Sequence, residues 1–474
     1  RPGGRRDQRP GGYNDRHGPA RAPVKGTWTR DRARSAVMNL LTAQAGRYPD
    51  LGLEEIDSSQ LEPLDAAFAR AIYGTVMRRW ITLEQLIGQG LTARFEDMKP
   101  PIQAALLAAG AQMLFMDRVP THAAVNEAVD WTRMATGRAA SGLVNAALRR
   151  LSELVGEDKD REIRDSWADG RDEVPLSDGR AIVLKRPAFP TDALNRLAVA
   201  TSCPSALLRT WVKDHDMAET RRLALHGIVQ PPVILNTAHA TAALPDFCTA
   251  HAVPGHHHYR GPHADLTALL QSRSDLWVQD PGSSLAVGSV TDLSPDVVID
   301  ACAGLGTKTR QLKAAFPDAA IIATDIDVLR WKTLSKVFEG DPQVTVISFK
   351  DLSEHVGKAD LLLLDVPCSN TGVLARRPEA RYRYTAERRD GLAAMQRQII
   401  ADAIPLLRDE AGRRGRILYS TCSLDSAENE QQARWAAQWH DFDLSRERRR
   451  RPEGGPGEPP ERYSDGAYAM LLER

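Results

Sequence analysis

The chain has 474 residues, enough for two to four domains at ~150 residues each. Its 62 basic and 62 acidic side chains cancel, so global charge does not announce a nucleic-acid partner. It contains no run of about 18 uncharged apolar residues and no apolar leader at the start, so neither a membrane span nor a secretory signal is expected.

Residues 1–26 are rich in Arg, Gly and Pro, as in RPGGRRDQRPGG, and are expected to form a disordered basic tail. Such a tail can neutralise phosphates or simply aid solubility, and composition does not separate the two. From residue 27 to 155 the pattern is helical. Leu64, Phe68, Ile72, Val76 and Trp80 recur at every fourth position and mark one buried face. Ile102, Leu106, Ala109 and Met113 repeat the arrangement. Thr121 after Pro120 suits a helix N-cap, and the helical region closes near NAALRRL, residues 145–151.

Residues 156–275 are expected to hold a linker and a small mixed α/β subdomain that contacts RNA. The charged stretch 152–185 reads as the linker. A helix is expected around Ser205 to Lys213 and a short strand near Val233 to Leu235. His256, His257 and His258, flanked by Gly and Pro, read as a polar surface loop rather than a metal site, because adjacent histidines rarely face one ion.

Over residues 276–474 short apolar runs alternate with helical stretches. The runs are VVI at 297–299, AAIIAT at 319–324, VTVIS at 344–348, LLLL at 361–364, RILYST at 416–421 and AYAMLL at 467–472. That rhythm predicts a parallel sheet covered on both faces. The Arg448 to Arg451 run reads as a solvated loop.

Three motifs fall at strand ends, where open α/β sheets bind ligands. DACAGLGTKT at 300–309 follows the first strand, and Gly304 and Gly306 allow a tight turn and close backbone approach. Asp325 ends the next strand and can accept hydrogen bonds from ribose hydroxyls. The GxG spacing lacks the third glycine of the dinucleotide fingerprint, which favours a methyltransferase over a nicotinamide enzyme. DVPCSNTGVL at 365–374 places Asp365 and Cys368 on the same rim. YSTCSLDSAENE at 419–430 adds Cys422, with Asp425 and Glu428 suited to capping the next helix.

The five cysteines, Cys203, Cys248, Cys302, Cys368 and Cys422, include no CxxC pair; their odd, sparse count suits a reducing cytoplasm, and no metal is expected. Cys302 reads as a small buried hydrophobe. A rim cysteine has a further use. A thiolate adding to carbon 6 of cytosine makes carbon 5 able to attack an electrophilic methyl group, while an acid holds the pyrimidine edge.

At these motifs the chain resembles the bacterial 16S ribosomal RNA cytosine-5 methyltransferases of the Sun/Fmu family, within the NOL/NOP/Sun group. The resemblance rests on Pro367-Cys368, Thr421-Cys422-Ser423, SNTGVLARRPEARYRY after Cys368, and the closing SDGAYAMLLER. LDAAFARAIYGTVMRRW, AAGAQMLFMDRVPTHAAVNEAVD and NAALRR resemble the NusB-like RNA-binding domain of that branch. Where the family pattern is close to DxCAAPGGKT, Gly304 and Leu305 replace Ala-Pro, and Thr307 replaces the second Gly. The resemblance implies an all-α NusB-like domain ahead of a Rossmann-like class I methyltransferase domain. It implies that Cys422 is the nucleophile, with Cys368 assisting product release and Asp365 also catalytic. S-adenosylmethionine would be held by Cys302, Ala303, Gly304, Leu305, Gly306, Thr307, Lys308, Asp325, Asp351 and Asp365. It further implies a monomer acting on RNA, with small-subunit ribosomal RNA the expected substrate. Transfer RNA, or an assembly factor that kept the scaffold without the activity, are the alternatives.

Overall fold

The computed structural model describes residues 26–156, 159–410 and 412–474, so nearly all of the expected basic tail lies outside the described residues. Five helices form the first layer: α1 (Arg32–Ala45), α2 (Pro63–Gly88), α3 (Pro100–Phe115), α4 (Thr121–Thr136) and α5 (Arg138–Val155). Asp31 caps α1 by accepting the Arg34 N–H at 2.9 Å. Helices α2 and α3 open on proline, whose missing N–H has no intrahelical partner to lose there. α3 is apolar around its whole circumference and is buried from Gln103 to Leu114, which makes it the central rod of the bundle.

Two expectations change here. Ile72, Val76 and Trp80 are buried, but Leu64 is 85% exposed because it lies in the first turn, before α2 enters the bundle. The cap position of α4 falls on Pro120 in extended conformation, and Thr121 is already the first helical residue.

The stretch after α5 is structured and is not a free linker. β1 (Glu162–Arg164), β2 (Glu173–Pro175) and β3 (Ala181–Val183) form an antiparallel sheet in the order β1-β3-β2. Val174, Ile182 and Leu184 extend the helical core. Buried Glu173 pairs with Arg164 and accepts the N–H groups of Ala168 and Gly170 at 2.9 and 3.1 Å. Strands this short contribute only one or two apolar side chains each, so charged neighbours masked them in the sequence.

Helices α6 (Ala193–Thr201), α7 (Ser205–Asp214) and α8 (Met217–His226) follow. A four-stranded sheet comes next, β4 (Val233–Asn236), β5 (Cys248–Ala250), β6 (His256–Tyr259) and β7 (Trp277–Val278), with α9 (His263–Ser272) inserted before β7. The three histidines therefore lie on a strand rather than in a surface loop. His256 is buried against Ser284, His257 bonds Thr237, and His258 faces Glu461. Each ring nitrogen partner is a protein group, as an interior strand requires.

After α10 (Pro281–Gly288) comes the large sheet, with β8 (Val297–Asp300), α11 (Thr307–Ala315), β9 (Ala320–Ala323), α12 (Val328–Val337), β10 (Val344–Val346) and β11 (Leu361–Asp365). Then come α13 (Glu379–Arg383), α14 (Ala386–Ala403), a small hairpin β12 (Asp409–Glu410) and β13 (Arg413–Arg414), β14 (Arg416–Thr421), α15 (Glu430–His440), β15 (Asp443–Arg450) and β16 (Ala467–Glu473). The order is β10-β9-β8-β11-β14-β16-β15, parallel throughout except that β16 runs against both neighbours. Apolar side chains on its two faces build two separate cores, which is why β11 reads as an unbroken LLLL. Arg448, Arg449 and Arg450 lie on the edge strand β15 and not in a loop; Arg449 pairs with Glu430, and Arg446 on the same strand pairs with Asp292. Charge on an edge strand discourages further pairing. Among the described residues no helix is long and apolar enough to cross a membrane.

The bundle is joined to the rest by buried polar groups. α2 kinks at Arg79, whose guanidinium donates to the carbonyls of Ala200 and Pro175 at 3.2 and 2.8 Å. The Thr82 N–H donates to Ser202 Oγ at 2.9 Å, and Tyr382 of α13 donates to the Met77 carbonyl at 2.8 Å. Arg381, fully buried, donates to the carbonyls of Thr201, Gly227 and Leu374.

Candidate active site

The order in which strands are added reverses between β8 and β11, with β9 and β10 laid down on one side and β14 on the other. At such a switch point the loops leaving adjacent strand ends separate and open a crevice. The loop after β8 carries the glycines, and the loop after β11 carries Cys368. Cys422 directly follows β14, whose Ser420 is in register with Asp365.

In the glycine loop, Gly304 and Gly306 adopt φ of +58° and +88°. A Cβ at Gly306 would come within 2.6 Å of Phe338, so α12 can pack closely there. A Cβ at Gly304 would meet no atom within 4 Å, so this turn faces outward. The Gly304 N–H donates to one oxygen of Asp325 at 2.8 Å, and the Asp327 N–H to the other at 2.8 Å. Beside this acid Leu305 is 60% and Ile326 73% exposed. Asp300 accepts from Thr309 through Oδ2, while its buried Oδ1 has no partner; burial pushes its carboxyl up to about 7. An outward-facing glycine turn, a strand-end acid and exposed aliphatic side chains match a nucleoside-bearing cofactor: hydroxyls for the acid and a flat base for the aliphatics. Asp351 lies in the short 3-10 helix Phe349–His355 after β10 and is exposed. Cys302 sits at the base of the glycine loop, where burial pushes its thiol up, in keeping with an unreactive role.

Lys308, in the first turn of α11, donates to Asp365 Oδ2 at 2.7 Å, and Ser420 Oγ donates to Oδ1 at 2.6 Å. Burial works against the Lys308 charge, but the fields of Asp365 and of Cys422 outweigh it and raise its pKa.

The two rim cysteines meet. Cys368 Sγ and Cys422 Sγ are 3.2 Å apart. The hydrogen bond to Cys422, together with burial, pushes the Cys368 thiol well above the ordinary range. Asn370 joins both loops: its Nδ2 donates to the Cys368 carbonyl at 2.9 Å, and its Oδ1 accepts from Cys422 Sγ at 3.2 Å. Asn370 has φ +60°, a conformation that asparagine tolerates better than most residues. The Gly372 N–H donates to the Cys422 carbonyl at 2.8 Å.

Sequence reasoning singled out Cys368, Cys422, Asp365, Lys308 and Asp325, and the fold brings all of them to one rim. It missed Asn370, Ser420 and Gln396; only the turn-forming S-N-T-G run hinted at the first of these. It also misplaced Asp425 and Glu428. Asn429 stands at the N-cap position of α15 without a side-chain cap bond, while Asp425 accepts from Tyr384 and Glu428 lies beneath the cysteine loops.

A seven-stranded sheet with one reversed strand and a glycine turn facing a strand-end acid defines an S-adenosylmethionine-dependent methyltransferase. Residues 291–455 match the family model for 16S rRNA methyltransferase RsmB/F, and residues 30–153 match the NusB family. The chain thus carries a NusB-type domain ahead of a methyltransferase region that matches the RsmB/F model. It is 27% identical over 387 residues to ribosomal RNA small subunit methyltransferase B of Vibrio cholerae, covering 79% of this chain and 82% of that one. The same-named protein of Xanthomonas campestris is also 27% identical, over 78% of this chain and 79% of its own length. The crystal structure of PH0851 shares the fold, with a TM-score of 0.68 at 20% identity, covering 95% of this chain and all of that one.

Proposed function

We propose that this methyltransferase modifies carbon 5 of a cytosine in small-subunit ribosomal RNA through a covalent bond between Cys422 and carbon 6. The observation that carries this reading is the 3.2 Å approach of Cys422 to Cys368 at the switch point, beside the Lys308–Asp365 pair. Two thiols in contact serve no purpose in a binding scaffold or in nicotinamide chemistry. The relatives' names support ribosomal RNA as the substrate.

When bound, S-adenosylmethionine supplies an electrophilic methyl group on a sulfonium. Cys422 attacks carbon 6 as a thiolate. Asp365, fixed by Lys308 and Ser420, accepts from the exocyclic amino group and keeps the ring edge in place. Carbon 5 takes the methyl group as the bond from that methyl to the sulfonium sulfur breaks, its electron pair staying on sulfur to leave the neutral thioether; carbon 5 then loses its proton to a base, and the bond from carbon 6 to Cys422 breaks to return the thiolate. Cys368 stands next to the bond that must break and assists this release. To enter such a site the cytosine must be unpaired or flipped out of its helix.

Cys368→Ala separates attachment from release. RNA incubated with this variant and the cofactor is expected to remain on Cys422 through denaturing electrophoresis. Recovery of free RNA alone, with normal turnover, would remove the release role. Asp325 is the proposed ribose ligand. Asp325→Ala is expected to weaken S-adenosylhomocysteine binding by about 10- to 100-fold, the value of a hydrogen bond to a charged group. An unchanged Kd by calorimetry would show that another residue holds the ribose.

A further inference from the structure

Glu428 is a buried carboxylate that forms no ion pair among the described residues. Four donors converge on it. The Ser369 N–H at 2.8 Å and Gln396 Nε2 at 3.1 Å reach Oε1, and the hydroxyls of Ser369 and Ser423 reach Oε2. Ser369 follows Cys368, and Ser423 follows Cys422. The same Gln396 amide donates to the carbonyl of Pro367 at 2.9 Å, on the other side of Cys368. Tyr419, on the strand that leads to Cys422, donates to the Glu428 carbonyl at 2.7 Å. An unpaired buried carboxylate is costly unless its lone pairs are filled. Here they are filled by the residues that flank the two thiols. The N-cap position of α15 belongs to Asn429, and none of the four donors to the Glu428 carboxylate is an N–H of that helix.

We propose that Glu428 is a positioning residue for methyl transfer: it clamps the Cys368 turn to the Cys422 turn and so sets the separation of the two sulfurs. This rests on the reading of these thiols as the reacting pair. A backbone N–H and the amide NH2 of Gln396, held this way round by the Pro367 carbonyl, cannot act as acceptors, so the atom at Oε1 must be an oxygen. The two serine hydroxyls at Oε2 can reverse and accept. Glutamine therefore preserves the clamp, with its carbonyl toward Ser369 N–H and its amide nitrogen toward the hydroxyls, whereas alanine removes it.

The sulfur separation can be read without RNA. Diamide takes two hydrogen atoms from a pair of thiols as it is reduced to the hydrazine, leaving one disulfide. In the full-length protein it is expected to link Cys368 to Cys422, seen by peptide mapping as the loss of two hydrogen masses. Glu428→Ala is expected to slow that linkage about tenfold or more, and to lower kcat at least as much with KM values for RNA and cofactor little changed, because misplacement by ~1 Å is enough to do so. Glu428→Gln is expected to restore both rates. A role confined to stability would lower the melting temperature but leave the linkage rate of the folded protein unchanged. If Glu428→Ala does not fold, the Ser369→Ala/Ser423→Ala double variant decides by the same linkage rate. Linkage at the wild-type rate in the variant, or no linkage in the wild type, overturns the proposal. A wild-type protein that links its cysteines but forms no covalent RNA adduct would instead sink the cytosine reaction and leave the clamp standing.

Discussion

Replacing Cys422 with alanine is expected to cut methyl transfer by about 10³-fold or more while leaving S-adenosylhomocysteine binding unchanged. The size follows from the chemistry. Carbon 5 of cytosine is a poor nucleophile, and without a sulfur on carbon 6 nothing else at the rim makes it electron-rich. Cys368 is a poor substitute, since burial still raises its thiol's pKa once Cys422 is gone. Cofactor binding should survive because the glycine turn and Asp325 belong to β8 and β9, while Cys422 follows β14. Transfer of labelled methyl to RNA measures the first quantity and calorimetry the second. Wild-type protein should also form a denaturation-resistant adduct with RNA containing 5-azacytosine, and the alanine variant should not. Wild-type turnover in Cys422→Ala would exclude the nucleophile assignment.

Arg381→Ala is expected to be the most damaging substitution outside the reacting groups. Arg381 is fully buried and satisfies three carbonyls, Thr201 at the end of α6, Gly227 after α8 and Leu374 in the stretch after Cys368. Each orphaned carbonyl costs about 1–3 kcal/mol, and the cavity left by so large a side chain adds to that. A loss of about 3–5 kcal/mol is expected, or roughly 10 °C in the first cooperative thermal transition. Methionine restores volume but no donors, so Arg381→Met should recover only the cavity part. Scanning calorimetry checks both, and a loss under about 1 kcal/mol for alanine would show that water reaches those carbonyls. Because α13 also ties the Cys368 loop to α2 through Tyr382, activity should fall with stability.

These two residues show how differently parts of the molecule could be read. Cys422 was legible because a motif at a strand end needs only local pattern. The sheet is made of short apolar runs bounded by turns, and its parallel order places every such end on one rim. Arg381 looked like one more basic residue in RRPEARYRY. Its burial depends on carbonyls from segments more than a hundred residues away, which no local period records. The same holds for Glu428: its spacing from Asp425 and its place before a helix suggested a cap, but tertiary donors claimed it. The stretch 152–185 and the three histidines were misread for a related reason. Their charged or polar side chains pair within the fold, and local composition alone makes such segments look solvated.

By itself the amino-acid order determined the α-then-α/β architecture, the strand ends that carry the glycine turn and the two cysteines, and the family to which those motifs belong. Hydrophobic period and turn residues act over a few positions, so they survive in a linear reading. Only the folded chain decided that the two sulfurs touch, that Asn370 and Glu428 tie their loops together, and that buried Arg79 and Arg381 weld the helical and catalytic domains to the segment between them. Those contacts are made by polar groups whose partners are chosen in space, where burial makes an unmatched donor or acceptor costly.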